Sequence, residues 1–266
     1  MPRRNGLSII IPCFNREETI RDAVTSILAQ RAQFDIEVIV VDDGSDDASV
    51  SKIEDLDVVI IKVEGRGGAC AARNVGVCAA KYDWIAFNDS DDLWRKDKLD
   101  VVFQHIARFD DDIDYFFHGF LRKSESNSKL LGVYRDVSVE LDQSFLGSLL
   151  KKNYISTQCL IVRKEVLKGV GLFDVRLPRF QDWELAIRLA NNSRGYFIAR
   201  ILVDCLDSTD SISRNYENGI LSRSYILKKH RELFRSHPIA FLRFRFDLSL
   251  RILISKFVYI KRTFVR

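Results

Sequence analysis

Proline and glycine are scarce in this sequence, 4 and 13 of 266 residues, while 47% of the chain is apolar. That balance excludes a disordered or low-complexity chain and predicts a globular protein with one substantial core, or one domain plus an appendage. The 5 cysteines, Cys13, Cys70, Cys78, Cys159 and Cys205, are odd in number, scattered, and form no C-x-x-C pair. Neither a disulfide framework nor a zinc site is suggested by them, and a reducing, cytoplasmic compartment fits best. Histidine is rare too: His105, His118, His230 and His237 stand alone and are expected to be structural or exposed. Long apolar runs are also missing. Near the start, Leu7 to Ile11 is cut short by Pro12, too early for a signal-peptide core, so it is expected to be the first strand of the mature protein.

Charge is present in both signs but unevenly placed. From Arg223 onward twelve basic residues meet only Glu232 and Asp247, a net +10, which leaves −6 on the first 222 residues of a chain whose formal total is +4. A mildly acidic body carrying a basic, apolar tail implies two separate jobs.

Within the body, short runs rich in valine and isoleucine alternate with segments of helical spacing. Leu7 to Ile11, Ile36 to Val41, Val58 to Val63 and Trp84 to Phe87 read as strands; Glu17 to Gln30, Asp46 to Leu56 and Gly68 to Lys81 read as helices. Alternation of this kind predicts an α/β fold with a doubly wound, mainly parallel sheet flanked by helices. Ligands in such sheets bind beyond the carboxyl ends of the strands.

Polar residues collect at those ends: Pro12-Cys13-Phe14-Asn15 after the first strand, Asp42-Asp43-Gly44-Ser45 after the second, Asp89-Ser90-Asp91 after the fourth. For Asp42 to Asp47 an ordinary turn with Ser45 or Asp46 as helix cap competes with a binding role. Crowded carboxylates repel and raise one another's pKa unless a cation neutralises them. Asp89 and Asp91 therefore read either as a solvated acidic turn or as oxygen ligands for Mg²⁺ or Mn²⁺, ions that bridge carboxylates to substrate phosphates.

The segments SIIIPCFNREETI, IEVIVVDDGSDDAS, GGACAARNVGVCAAKYDWIAFNDSDDLW and GLFDVRLPRFQDWELAIRLA together resemble the successive signatures of the inverting family 2 glycosyltransferases, across about residues 7 to 205. The resemblance implies a GT-A fold and transfer of a sugar from a nucleotide diphosphate donor. Residue by residue, it implies that Pro12 and Glu17 begin the nucleotide pocket. Asp43 matches the carboxylate that bonds a uracil ring, and Arg73 a donor-contacting arginine. Asp89, next to Ser90 in the donor site, matches a ribose or metal-shell ligand, Asp91 the main metal ligand, and Asp182 the catalytic base. The residue before the base, commonly Glu in this family, is Gln181 here. A glycan or lipid-linked saccharide is the implied acceptor, and cell-surface polysaccharide synthesis the implied setting.

The residues support this chemistry on their own terms, with alternatives. A diphosphate leaving group gains negative charge that a cation at Asp89 and Asp91 would offset, and a helix start near Arg73 favours phosphate. An acceptor hydroxyl needs a base on the opposite face of the sugar, the geometry of a single inverting displacement. Asp182, at the start of an amphipathic helix, suits that role or merely complements the helix dipole. A nucleotidyltransferase would use the same carboxylate pair without needing Asp182, and a binding relative would keep the fold without turnover. Gly65-x-Gly67 mimics a dinucleotide fingerprint but follows the third strand and has Cys70 at the third position. Trp94, Trp183 and the Phe116-Phe117 pair read as core, with Trp183 also placed to stack on a sugar.

Between Phe120 and Leu141 polarity rises and periodicity fades, predicting an edge segment near the acceptor side. Thr157 to Leu167 predicts a strand and helix completing the sheet. Catalytic residues are expected within 1–212, split at about 110 into donor and acceptor halves, with 213–266 as a basic helical tail. From Pro238 the tail never reaches the roughly 18 uninterrupted apolar residues of a bilayer span. Arg243 to Ile252 alternates strictly enough to be a strand; read instead as a helix, the favoured alternative, the tail aligns Arg243, Asp247, Arg251 and Ser255 in one polar stripe. Three roles compete for it: an anionic membrane surface, which would make the enzyme peripheral on the inner face of the cytoplasmic membrane; packing on the body; or a dimer contact. No nucleic-acid module accompanies the basic residues.

Overall fold

The computed structural model describes residues 6–30, 34–109, 112–123, 128–206 and 216–264, with side chains up to residue 255. The expected boundaries at about 110 and 212 both lie outside the described residues.

Strand β1 (Leu7–Cys13) shows how the sheet is built. Leu7, Ile9 and Ile11 enter one hydrophobic cluster while Ile10 enters the other. Its neighbours β2 (Ile36–Asp42) and β4 (Trp84–Phe87) divide their side chains in the same way. Both faces of the sheet are therefore covered, which is why these strands read as continuous apolar runs. Helix α1 (Ile20–Leu28) packs on one face; α2 (Gly68–Ala79) packs on the other, against β1 and β2.

Between α1 and α2 lie β2 and the short β3 (Val59–Lys62). After β4 come β5 (Asp92–Trp94), α3 (Lys98–Phe109), β6 (Tyr115–Lys123), β7 (Ser128–Leu131), β8 (Val139–Glu140) and α4 (Gln143–Leu149). A turn of 3₁₀ helix, Thr157–Cys159, leads into β9 (Leu160–Arg163), α5 (Lys164–Gly169), α6 (Gln181–Asn192), β10 (Gly195–Leu206), α7 (Tyr216–Lys229), α8 (Arg231–Arg235) and α9 (Pro238–Phe264). The strands order in space as β3-β2-β1-β4-β9-β6-β10-β5, with β7 on β6 and β8 on β10. The first four are parallel, as expected. Beyond them the sheet is mixed, because β9 runs antiparallel to both β4 and β6 and β5 antiparallel to β10, while β6 and β10 are parallel. The segment expected to complete the sheet thus enters between its two halves.

One expected helix is absent. Asp46 to Leu56 forms successive turns instead. Its serine and aspartate side chains take up backbone groups that a helix would use: Ser49 N–H donates to Asp47 Oδ1 and Ser51 Oγ to the Ala48 carbonyl. Ser49 Oγ and Asp47 Oδ2 also accept the N–H groups of Arg16 and Glu17, so tertiary bonding to the first loop overrides helical spacing.

The C-terminal helices belong to the same packed body. Ile226 of α7, Phe234 of α8, and Ala240 and Phe244 of α9 join the cluster that holds Trp183 and Leu185 of α6. Phe244 lies 5.6 Å from Trp183 and 4.8 Å from Phe234. Beneath them Glu184, fully buried, receives Arg188 at 2.7 Å, Lys229 at 2.7 Å and His230 at 2.9 Å. Although burial opposes its charge, these partners hold the Glu184 carboxyl down at about 2. The polar stripe of α9 divides: Asp247 pairs with Arg251 and, across to α7, with Arg223, while Arg243 is exposed.

Gly76 sets how closely α2 approaches β1. A Cβ there would sit 2.5 Å from Ile10 Cγ2 and 3.3 Å from Val41 Cγ2. Glycine to alanine inside a helix normally stabilises by about 0.5–1 kcal/mol. Here overpacking at about 1–3 kcal/mol outweighs that gain. Gly76→Ala is expected to lower the urea midpoint with little change in the slope of the transition.

Candidate active site

At the carboxyl end of β2, Asp43 is buried and accepts Gly67 N–H at 2.9 Å and Gly68 N–H at 2.7 Å. The carboxylate thereby ties the glycine-rich loop to the sheet at the start of α2. Gly68 has φ +80°, which disfavours a side chain there. Beside this loop the Arg66 guanidinium covers the Phe14 ring at 4.4 Å.

The β4 end carries the acidic run. Asp89 accepts Arg73 Nη2 at 2.6 Å, and the Arg73 side chain is 9% exposed. Arg73 Nε, also buried, has no hydrogen-bond partner among the described residues. Ser90 and Asp92 are buried. Burial, followed by the like charges of Asp89 and Asp91, pushes the Asp92 carboxyl well above the usual range. Nearby, buried Lys98 sits 3.8 Å over the Trp94 ring and donates to the Gln158 carbonyl at 2.9 Å; burial lowers its ammonium to about 7. Among the described residues no three His, Cys, Asp or Glu groups converge as a complete metal cage. The carboxylates of Asp89 and Asp91, both on the wall of one cavity, nevertheless suit Mg²⁺ or Mn²⁺, which commonly keep water and substrate oxygens in the remaining positions.

Across the cavity, Phe180 turns the chain into α6 with φ 62°, a left-handed conformation costing on the order of 1–3 kcal/mol for a bulky residue. Phe180 packs edge-on against Trp183 at 5.6 Å, with Arg179 and Arg223 over its ring at 4.6 and 4.3 Å. The turn brings Asp182 to the cavity wall. Its Oδ1 accepts Trp183 N–H at 2.7 Å and its Oδ2 accepts Asn153 Nδ2 at 3.0 Å. Enclosure by protein nevertheless wins over these two bonds and raises its carboxyl to about 6. Gln181 also faces the cavity and donates to the Leu177 carbonyl at 2.9 Å.

A cavity of about 1020 Å³ joins these parts: Pro12, Asp43, Arg73, Asp89, Ser90, Asp91 and Asp182 all line it. Glu17 does not. Its carboxylate accepts Ala48 N–H at 3.0 Å and holds the turns after β2. Trp183 is core rather than a sugar platform: it is buried and its indole N–H donates to the Leu149 carbonyl at 2.7 Å. His118 and His230 are structural, one fully buried and the other bonded to Glu184. Asn153, which holds the Asp182 carboxylate, lies on a loop 29 positions upstream with no motif around it, so nothing in the linear pattern singles it out. Leu130 to Val133, from the polar segment expected near the acceptor side, also line the cavity.

Comparison with known proteins fits this geometry. The profile of Glycosyl transferase family 2 matches residues 8–168. The chain belongs to that family. The amylovoran biosynthesis glycosyltransferase AmsB of Erwinia amylovora is 28% identical over 208 residues, covering 69% of this chain and 63% of AmsB. The succinoglycan biosynthesis protein ExoW of Rhizobium meliloti is 30% identical over 186 residues, 62% of this chain and 57% of ExoW. An uncharacterized glycosyltransferase of Haemophilus influenzae is 29% identical, with 69% and 61% covered. The matched part of this family 2 chain thus spans about three-fifths of these relatives' length. In fold it is similar to TarS of S. aureus, solved with UDP-GlcNAc, at TM-score 0.68 and 22% identity over 84% of this chain and 66% of that one. It is also similar to the mannosyltransferase PcManGT of Pyrobaculum calidifontis, solved with GDP-Man and Mn²⁺, at TM-score 0.64 and 17% identity, with 92% and 71% covered.

The Asp182 carboxyl should titrate near 6 when followed by carboxyl ¹³C NMR. Asn153→Ala removes a hydrogen bond that favours the charged form, so the midpoint should move upward. No change would show that the amide does not support the carboxylate.

Proposed function

We propose that the chain is an inverting glycosyltransferase that moves a sugar from a nucleotide diphosphate donor, a UDP-sugar, to a hydroxyl of a glycan or lipid-linked saccharide in cell-surface polysaccharide synthesis. One observation carries the reading: Asp182, a carboxylate raised to about 6, lines the same cavity as the Asp43, Arg73, Asp89 and Asp91 set. A binding module or a nucleotidyltransferase needs the second group but gains nothing from the first. The neighbours' UDP-GlcNAc and GDP-Man complexes support a nucleotide-sugar in this cavity, and the match at Asp43 favours uridine.

In this reading Asp43 receives the base at the β2 end, with the loop of Gly67 and Gly68 held beside it by the same carboxylate. Arg73, on the cavity wall beside Asp89, offers its guanidinium charge to the diphosphate. Asp89 and Asp91 would hold the divalent ion, whose Lewis acidity would offset the negative charge that grows on the leaving diphosphate. Asp182 accepts the proton of the attacking acceptor hydroxyl, so the nucleophile strengthens as the bond to the donor sugar breaks. Trp183 N–H and Asn153 keep the carboxylate oriented for that transfer. The leaving diphosphate and the base act from opposite faces of the sugar, and a single displacement inverts the anomeric carbon. The acceptor enters past Leu130 to Val133 and the Lys152–Tyr154 segment. The enzyme works as a peripheral protein at the inner face of the cytoplasmic membrane, where a lipid-linked acceptor lies. No helix among the described residues is long and apolar enough to cross a membrane.

UDP binding measured by calorimetry is expected to depend on Mn²⁺ and to lose that dependence in Asp91→Asn. No binding of UDP with or without the ion would overturn the uridine assignment. Asp182→Asn should retain donor binding yet lower kcat by about 10²- to 10⁴-fold. Because the base is active when ionised and its carboxyl is held near 6, kcat/KM of the native enzyme should fall as pH drops through that value. An unchanged rate in Asp182→Asn would remove this residue from the mechanism.

A further inference from the structure

Helix α9 has two faces with opposite fates. Ala240, Phe244 and Leu248 are buried against the body, and Asp247 and Arg251 turn to α7, where Tyr216 Oη donates to the Arg251 carbonyl at 3.0 Å. On the other side Ile239 is 74% exposed, Leu242 67%, Phe246 72%, Leu250 44% and Leu253 52%. At about 100° per residue these five positions fall within roughly 80° of arc. They form one continuous apolar stripe, about 21 Å long from Ile239 to Leu253 at the rise of a regular helix. Arg243 and Arg245, both exposed, border the stripe on its two sides. No acidic residue shares this face, because the acidic residue of the described part of the helix, Asp247, is paired inward with Arg223 and Arg251.

We propose that this outward face of α9 docks in the plane of an anionic lipid surface. Apolar side chains along the centre and cations on both shoulders match an interface whose interior is hydrocarbon and whose headgroups are negative. The sequence beyond the described side chains continues the pattern with Lys256, Lys261, Arg262 and Arg266 and no acidic residue. A second copy of the chain is a poorer occupant. Self-pairing of this face would bring Arg243 and Arg245 of one copy toward those of the other with no carboxylate between them. Spanning is not supported either, since no helix among the described residues is long and apolar enough to cross a membrane.

The inner face gives the docking a consequence. Phe244 contacts Trp183, the residue next to Asp182, so only one layer of side chains separates the lipid-facing helix from the helix that presents the base. A membrane-bound acceptor would then be drawn from the same surface that holds the enzyme. The inference rests on the peripheral placement proposed above and names the surface responsible for it.

The test uses the full chain and co-sedimentation with phosphatidylcholine vesicles, with and without phosphatidylglycerol. UDP binding is measured in parallel on every variant as the check of the cavity. Binding is expected to anionic vesicles and to weaken as salt is raised. Arg243→Gln with Arg245→Gln should reduce partition by about 25-fold, roughly fivefold for each charge. Leu242→Ser with Phe246→Ser, both exposed and so harmless to folding, should reduce it on the order of tenfold or more. UDP binding should be unchanged in both. Absence of vesicle binding by the native chain, with UDP binding intact, would overturn the docking surface while leaving the transferase reading in place. Unchanged partition in both variants would also overturn it. A dimer in solution that the serine pair dissociates, without vesicle binding, would assign the face to a second copy instead.

Discussion

The crowding of Asp89, Asp91 and Asp92 within four positions of the β4 end is the constraint on which the site depends. Like charges this close are tolerated only if each meets a different fate. Asp92 is buried and pushed toward its neutral form, whereas Asp89 is neutralised by Arg73 from α2. Asp91 faces the cavity. The α2 side of that balance requires close contact between helix and sheet, which Gly76 permits by leaving space against Ile10 and Val41. A glycine with no chemistry of its own thus helps place the arginine that offsets the acidic run.

On the opposite wall the requirement is rigidity rather than charge balance. Asp182 sits two residues past a strained turn at Phe180, and α6 behind it is clamped by Glu184 to α7 and to His230 at its end. Burying Glu184 without its cations would cost several kcal/mol, since removing one partner of a buried ion pair typically costs about 3–5 kcal/mol. The C-terminal helices are therefore supports for the helix that carries Asp182 as well as an appendage. Their inner face holds α6, and their outer face remains available to a surface.

The strand ends were legible in the linear pattern because each combines a short apolar run with a polar stop. Pro12, Asp43, Asp89, Ser90 and Asp91 meet at one cavity, as binding beyond strand ends in a doubly wound sheet leads one to expect, and Arg73 and Asp182, which the family resemblance singled out, line it too. Glu17 did not follow. The family resemblance implied a place for it at the pocket, but its carboxylate accepts the backbone N–H of Ala48 instead. The Asp46 to Leu56 turns failed as a helix for a related reason: periodicity registers apolar spacing and is blind to serine and aspartate side chains bonding a loop far away in sequence.

The sequence by itself determined the α/β class, the parallel half of the sheet, the acidic rim and the basic charge of the tail, because these follow from local periodicity and from residue chemistry; the tail's alternation suited a strand as well as a helix. Only the tertiary structure decided that β9 inserts antiparallel between the two halves, that Asn153 holds Asp182, and that Trp183 is core. It also decided which face of α9 is buried and which is left open. Those outcomes depend on contacts between segments distant along the chain, where burial and hydrogen-bond geometry choose among arrangements that local spacing leaves equal.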